Sequence, residues 1–291
     1  MKIIHSLWSK PMRTPDGTLG ETGWRHVQYF YMSWALSCLT FKEVYKNITL
    51  VTDTFGYDLL INKLQLPYTN VEVILDELNH YPKEFWAIGK LKAYEIQQEP
   101  FIHVDGDVYV WNRFGEIIEK AALVSQQRDV DFGHYSHAMK EALGENYHFP
   151  EIMLKQFQNG QTMVSSNAGI IGGNDLDFIK EYCKLSFDII DRNKNKTKIH
   201  GTSYALLYEQ YLFHCLAQEK GITIEYYLEN KPDKSEESHT FFNKYTQQKK
   251  FVHLLSMRKK EMEYCYDLRD QLKTNFPKYY DIIQTYIKTQ S

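Results

Sequence analysis

Short apolar runs alternate with amphipathic stretches through the first hundred residues. Lys2–Leu7 is an apolar run that predicts a strand, and a loop rich in Pro and Gly follows over residues 11–23. Trp24, Val27, Tyr31, Trp34 and Cys38 then recur at steps of three and four, which marks one face of a helix. Residues 48–51 predict a second strand ending at Thr52, Asp53 and Thr54; 57–66 predict a helix and 71–75 a third strand. A helix over 85–97, stopped near Pro100, leads into a fourth strand, Phe101–Val104. Strands alternating with helices predict an α/β fold with a mostly parallel central sheet and helices on both faces. Ligands of such sheets lie beyond the carboxyl ends of the strands, which groups Trp8, Asp53 and Asp105 in one crevice. At the end of the first strand, His5 and Trp8 offer a hydrogen-bonding ring and a stacking surface to a nucleotide base.

The second half is less regular. Residues 122–126 and 162–171 predict further strands, separated by an insertion containing His and Tyr. Helices are expected over 176–190 and 204–219, then a late strand over 222–228. Residues 229–250 are polar and charged and predict a mobile loop. This gives one domain over 1–228, with 229–291 as a mobile loop and a carboxyl-terminal lid or helical appendage of the same domain.

Composition narrows the function classes. The chain has 291 residues, enough for one large α/β domain or two small ones. Aromatic residues make up 15%, with 22 Tyr, which suits sites that stack on sugars or bases. A net charge of −3 lacks the basic footprint of a nucleic-acid binder. No apolar stretch approaches the roughly 20 residues that span a bilayer, and the first residues do not read as a secretory signal. A cytoplasmic protein is expected. Cys38, Cys183, Cys215 and Cys265 are scattered and form no Cys-x-x-Cys pair, so reduced core thiols are expected.

The strongest chemical signal is Phe101-Ile-His-Val-Asp105-Gly-Asp107-Val-Tyr-Val-Trp111. An apolar strand runs into two carboxylates separated by one glycine, and a second apolar run begins. Gly106 is expected to let the backbone turn tightly, so that both carboxylates reach one hard cation, Mn²⁺ or Mg²⁺. A polar turn between two strands would use the same residue types. Further along, Asn167 can exchange hydrogen bonds with sugar hydroxyls, and Gly169, Gly172 and Gly173 permit close backbone approach, by a ligand or within a glycine turn. Lys90 falls in the middle of a helix, from which it can reach a diphosphate as a point charge. Glu209 lies opposite much of the Tyr204, Tyr208, Tyr211 and Cys215 stripe, on the polar face of its helix. His253 follows the apolar pair Phe251-Val252 and precedes Arg258, Lys259 and Lys260, basic residues suited to meeting phosphates in a lid.

The segment resembles the Asp-x-Asp box of GT-A glycosyltransferases, particularly the glycogenin-like and bacterial galactosyltransferase-like enzymes of family eight. The order matches as well: Lys90, then Asp105 and Asp107, then Ser166-Asn167-Ala168-Gly169-Ile170-Ile171-Gly172-Gly173, then Glu209-Gln210, then His253. It departs from the family in carrying His253-Leu-Leu-Ser-Met-Arg-Lys259 where a Gly and a Lys-Pro-Trp usually follow the His, and Glu where Asp usually precedes the Gln. The resemblance implies a GT-A fold and transfer of a sugar from a UDP- or GDP-sugar to a hydroxyl of a glycan or lipid-linked acceptor. It implies a metal on Asp105, Asp107 and His253, catalytic roles for Asn167 and Glu209, and donor contacts from His5, Trp8, Asp53, Lys90, Asp105 and Gly169. Two rivals remain at this level. A haloacid-dehalogenase-type phosphatase also has an Asp-x-Asp after a strand, though usually the first strand. A non-catalytic carbohydrate- or nucleotide-binding module would keep the fold without the chemistry.

Overall fold

The computed structural model describes residues 1–20, 22–131, 133–160, 162–196, 201–228 and 250–290. The strands are β1 (Lys2–Leu7), β2 (Ile48–Thr52), β3 (Asn70–Val73), β4 (Phe101–Val104), β5 (Val108–Val110), β6 (Leu123–Val130), β7 (Val164–Ser166), β8 (Ile170–Gly173), β9 (Ile224–Leu228) and β10 (Phe251–His253). The helices are α1 (Val27–Val44), α2 (Thr54–Tyr57), α3 (Ile88–Glu95), α4 (Glu116–Lys120), α5 (His134–Gly144), α6 (Glu151–Gln158), α7 (Leu176–Asn193), α8 (Gly201–Ala205), α9 (Leu212–Lys220), α10 (Met262–Asn275) and α11 (Pro277–Gln290). Strand pairing is mixed, with both parallel and antiparallel neighbours, and helices accompany the strands. Most of the expected mobile loop, 229–249, lies outside the described residues. Among the described residues no helix is long and apolar enough to cross a membrane.

The chain divides into two compact units. The terminal unit comprises Lys2–Asp76, Val104–Arg113 and Pro232–Ser291. Its strands β1, β2 and β3 run parallel, with Ile3 opposite Ile48 and Thr49 opposite Asn70. A separate antiparallel pair joins β5 to β10 and sets Val108 opposite His253. Helix α1 was expected to bury one face, yet every residue from 29 to 41 is buried. The reason is that α1 packs against β5 and β2, and also against α10 and α11 from the far end of the chain. A helix covered on all sides can be apolar all round, and α1 carries Phe30, Trp34, Leu36, Leu39 and Phe41 in that setting.

The central unit comprises Met1, Glu77–His103 and Phe114–Lys231. Here β6 is the organising strand: it pairs antiparallel with β7 and β8 and parallel with β9. The expected single strand over 162–171 is two strands, because the run breaks at Asn167-Ala168-Gly169. The Asn167 side-chain oxygen accepts the Gly169 N–H at 3.0 Å, a local bond that competes with the ladder. The helix expected over 204–219 runs from Gly201 to Lys220 but contains a π-helical turn, Leu206–Tyr211. Cys38, Cys183, Cys215 and Cys265 are buried free thiols in α1, α7, α9 and α10.

Gly172 and Gly173 serve the packing of these strands. A Cβ at Gly172 (φ +151°) would stand 2.3 Å from the Phe101 carbonyl oxygen, and one at Gly173 (φ +139°) 2.1 Å from that of Ala122. Both obstacles are backbone and cannot rotate away. Gly172→Ala is therefore expected to destabilise the protein by at least about 3 kcal/mol. Urea denaturation of the variant beside the wild type measures the difference.

Candidate functional site

Strand β4 ends at Val104, and the next three residues form the turn into β5. This turn brings Asp105 and Asp107 together with His253, the last residue of β10, because β10 pairs with β5. One ligand atom from each of the three lies within 4.8 Å of the others, all inside the terminal unit. Two hard carboxylate oxygens and one imidazole nitrogen form a donor set that suits Mn²⁺ or a similar divalent ion.

Asp107 is the most enclosed of the two acids, 8% exposed. The Nε2 atom of His253 is 3.4 Å from its Oδ1, and the Lys259 ammonium pairs with its Oδ2. Burial opposes ionisation, but Lys259 and then His253 outweigh it and hold the carboxyl well below the usual carboxylate range. The backbone N–H of Leu254 also donates to the Asp107 carbonyl at 3.1 Å. Lys259 is itself fixed: its carbonyl accepts from Arg25 N–H at 2.8 Å, and its ammonium lies 6.0 Å from the Trp24 ring. The sequence showed Lys259 only as the middle of three consecutive cations, with nothing to single it out for Asp107.

Behind the turn stands α1. Ser33 donates to the Gly106 carbonyl at 2.8 Å, and Ser37 donates to the Val108 carbonyl at 2.7 Å. Gly106 lies in the expected tight turn, in which the Val108 N–H donates to the Asp105 carbonyl at 3.0 Å, though its φ is outside the left-handed region. Its requirement is space, since a Cβ there would come within 2.6 Å of the Trp34 ring.

The other residues singled out in the terminal unit are also internally engaged. His5 is fully buried, with Nε2 3.0 Å from Ser37 Oγ and Nδ1 3.0 Å from the Tyr68 hydroxyl. Asp53 caps α2 by accepting from Gly56 N–H at 2.8 Å. Its second oxygen accepts from both the N–H and the hydroxyl of Ser9, each at 2.7 Å, tying the end of β1 to the end of β2. Trp8 is 4% exposed at that same strand end.

The central unit holds a second polar constellation. Lys90 of α3 meets Glu209 at 3.1 Å and lies 5.4 Å from the Trp86 ring. Glu209 is fully buried, not on a solvated helix face. It sits in the π-helical turn, within a stretch in which every residue from 207 to 217 is buried, so no face of the helix there meets solvent. Asn167 donates to Asp129 at 3.3 Å while its oxygen holds Gly169, and Gln127 donates to the other Asp129 oxygen at 2.7 Å. Gln210 accepts from the Tyr135 hydroxyl at 2.7 Å. Asp129 had not been singled out, because it lies beyond the expected end of its strand and no motif marks it.

The chain belongs to the family described as Family of unknown function (DUF6734), which it matches over residues 1–286. No curated protein sequence matches it. Among solved structures it is similar to galactosyltransferase LgtC in complex with donor and acceptor sugar analogs, at 12% identity and a TM-score of 0.38, over 72% of this chain and 71% of that one. An active-site mutant of LgtC matches at 11% identity and a TM-score of 0.39, over 72% and 70%. The apo form of mouse xyloside xylosyltransferase 1 matches at 12% and 0.41, over 87% of this chain and 96% of that one.

The buried imidazole behind the turn gives a pH signature. Burial lowers the His5 pKa from 6.5 to about 3, so the folded state holds it neutral where the unfolded chain takes up a proton. Between those two values the unfolded state binds more protons, and stability falls as pH falls. His5→Gln is expected to remove about 2 kcal/mol of the stability lost between about pH 6 and pH 4. Urea denaturation of both proteins at the two pH values checks this.

Proposed function

We propose that this chain is a metal-dependent glycosyltransferase of the GT-A fold, transferring a sugar from a UDP- or GDP-sugar to a hydroxyl of a glycan or lipid-linked acceptor. The observation that carries the reading is the convergence of His253 on Asp105 and Asp107, which lie far earlier in the chain, with one ligand atom from each within 4.8 Å of the others. A divalent ion held there would supply Lewis-acid charge to the leaving diphosphate. Imidazole among carboxylates favours Mn²⁺ over Mg²⁺.

The chain's own residues take distinct parts in this reading. Asp105, Asp107 and His253 would hold the cation. Lys259 gives Asp107 a counter-charge and is placed to meet a phosphate. Lys90 adds positive charge and, through its contact with Glu209, orients that carboxylate. Glu209 stabilises positive charge that builds at the anomeric carbon as its bond to the diphosphate oxygen breaks. Asn167, with Asp129 and Gly169 beside it, holds sugar hydroxyls. His5 and Asp53 serve donor binding by fixing the strand ends beside Trp8, the residue assigned to the base. The acceptor hydroxyl forms the new bond to the anomeric carbon as the diphosphate departs, and its proton passes to the departing diphosphate.

Two measurements test the reading together. A thermal-shift screen of nucleotide sugars is expected to show stabilisation by one UDP- or GDP-sugar that requires Mn²⁺. Asp107→Asn is then expected to unfold cooperatively but to turn that donor over on the order of 100-fold more slowly, nearly 3 kcal/mol in the barrier. Turnover by Asp107→Asn at the wild-type rate would remove the metal role.

A further inference from the structure

We propose that α1 is the positioning element of the cation site, with Ser33, Trp34 and Ser37 setting where the turn between β4 and β5 presents Asp105 and Asp107. The proposal rests on the reading that these acids bind a divalent cation.

The two serines are four residues apart, so their hydroxyls stand one above the other on one helix face. Their spacing matches the turn: Ser33 reaches the Gly106 carbonyl at 2.8 Å and Ser37 the Val108 carbonyl at 2.7 Å, with the Asp105 carbonyl 3.5 Å from Ser37. Backbone carbonyls on both sides of the Asp107 side chain are thus held by one rigid element.

Each serine has a single proton, and the turn carbonyls take it. The Tyr109 hydroxyl, 2.7 Å from Ser33, then donates to that serine. The Nε2–H of His5 donates to Ser37 at 3.0 Å, and Nδ1 accepts from Tyr68 at 3.0 Å. The network is complete and dry, with Ser33 and Ser37 at 1% and 0% exposure. Trp34 lies between the serines in sequence and walls off Gly106, where a Cβ would come within 2.6 Å of the indole. Hydroxyls pull the turn toward α1 and the indole stops it, which fixes its distance from the helix.

Helix formation does not account for these residues. Alanine favours a helix interior more than serine does, and mid-helix serines usually bond back to their own helix. Here both reach across to the loop that carries the acids. Groups that orient metal ligands without touching the metal change affinity by about 10–100-fold when removed.

The test is Mn²⁺ titration of the full chain, read as free Mn²⁺ by electron paramagnetic resonance, alongside thermal unfolding in chelator. Ser33→Ala/Ser37→Ala and Gly106→Ala are each expected to raise the Mn²⁺ dissociation constant about tenfold. Adding Trp34→Phe to Gly106→Ala makes room for the new methyl group and is expected to restore affinity to within about twofold, a rescue that a merely structural tryptophan would not give. Should Gly106→Ala fail to fold, the serine variants and Ser33→Ala alone carry the test. Wild-type affinity in folded variants whose thermal midpoints fall would reduce α1 to a structural helix and overturn this proposal alone. A wild-type chain that binds no Mn²⁺ would overturn the metal reading, and this proposal with it.

Discussion

A carboxylate that is nearly sealed from water must find positive charge or give up its own. Asp107 faces that constraint, and much of the terminal unit answers it. Lys259 supplies the compensating charge and His253 a contact at 3.4 Å, and neither is near Asp107 in sequence. His253 arrives because β10 pairs with β5, and Lys259 arrives on the turn that follows, tied down by Arg25. The helices beyond that turn close over α1, which in turn holds the carbonyls next to Asp107. Packing, pairing and charge therefore depend on one another around a single side chain.

The central unit meets the same constraint differently. Glu209 is sealed completely, and Lys90 is the cation that contacts it. No strand pairing delivers the partner here; Glu209 lies on a helix buried all round, and Lys90 of α3 reaches it there. A π-helical turn coincides with the Glu209-Gln210 pair. Asn167, at the break between β7 and β8, joins Asp129 and Gly169 in one small network.

Much of this was readable in the sequence where local chemistry decides. The strands Lys2–Leu7 and Phe101–Val104 are short, mostly apolar runs with clear stops, and the structure has them at those residues. The acids after the fourth strand were visible because they directly follow an apolar run in an alternating α/β pattern, where ligands lie beyond the strand ends. What escaped the sequence depended on tertiary context. Periodicity showed one apolar face on α1, and only the carboxyl-terminal helices explain why the whole helix is buried. The stripe opposite Glu209 did not show that its helix is covered on every side, so that the carboxylate is buried as well. Gly106 is a turn residue as its context suggests, but the sequence did not show that the Trp34 ring excludes a side chain there.

The pairing of β5 with β10 also orders events in time. Asp105 and Asp107 leave the ribosome well before His253 and Lys259, so a growing chain carries the acids without the groups that complete their site. Until residues 262–290 are made and docked, α1 also lacks the cover of α10 and α11. A chain that stops short of residue 253 therefore lacks the imidazole, the ammonium and the shield of the helix at once. The acids and the imidazole come together only once residues 251–253 have paired with β5.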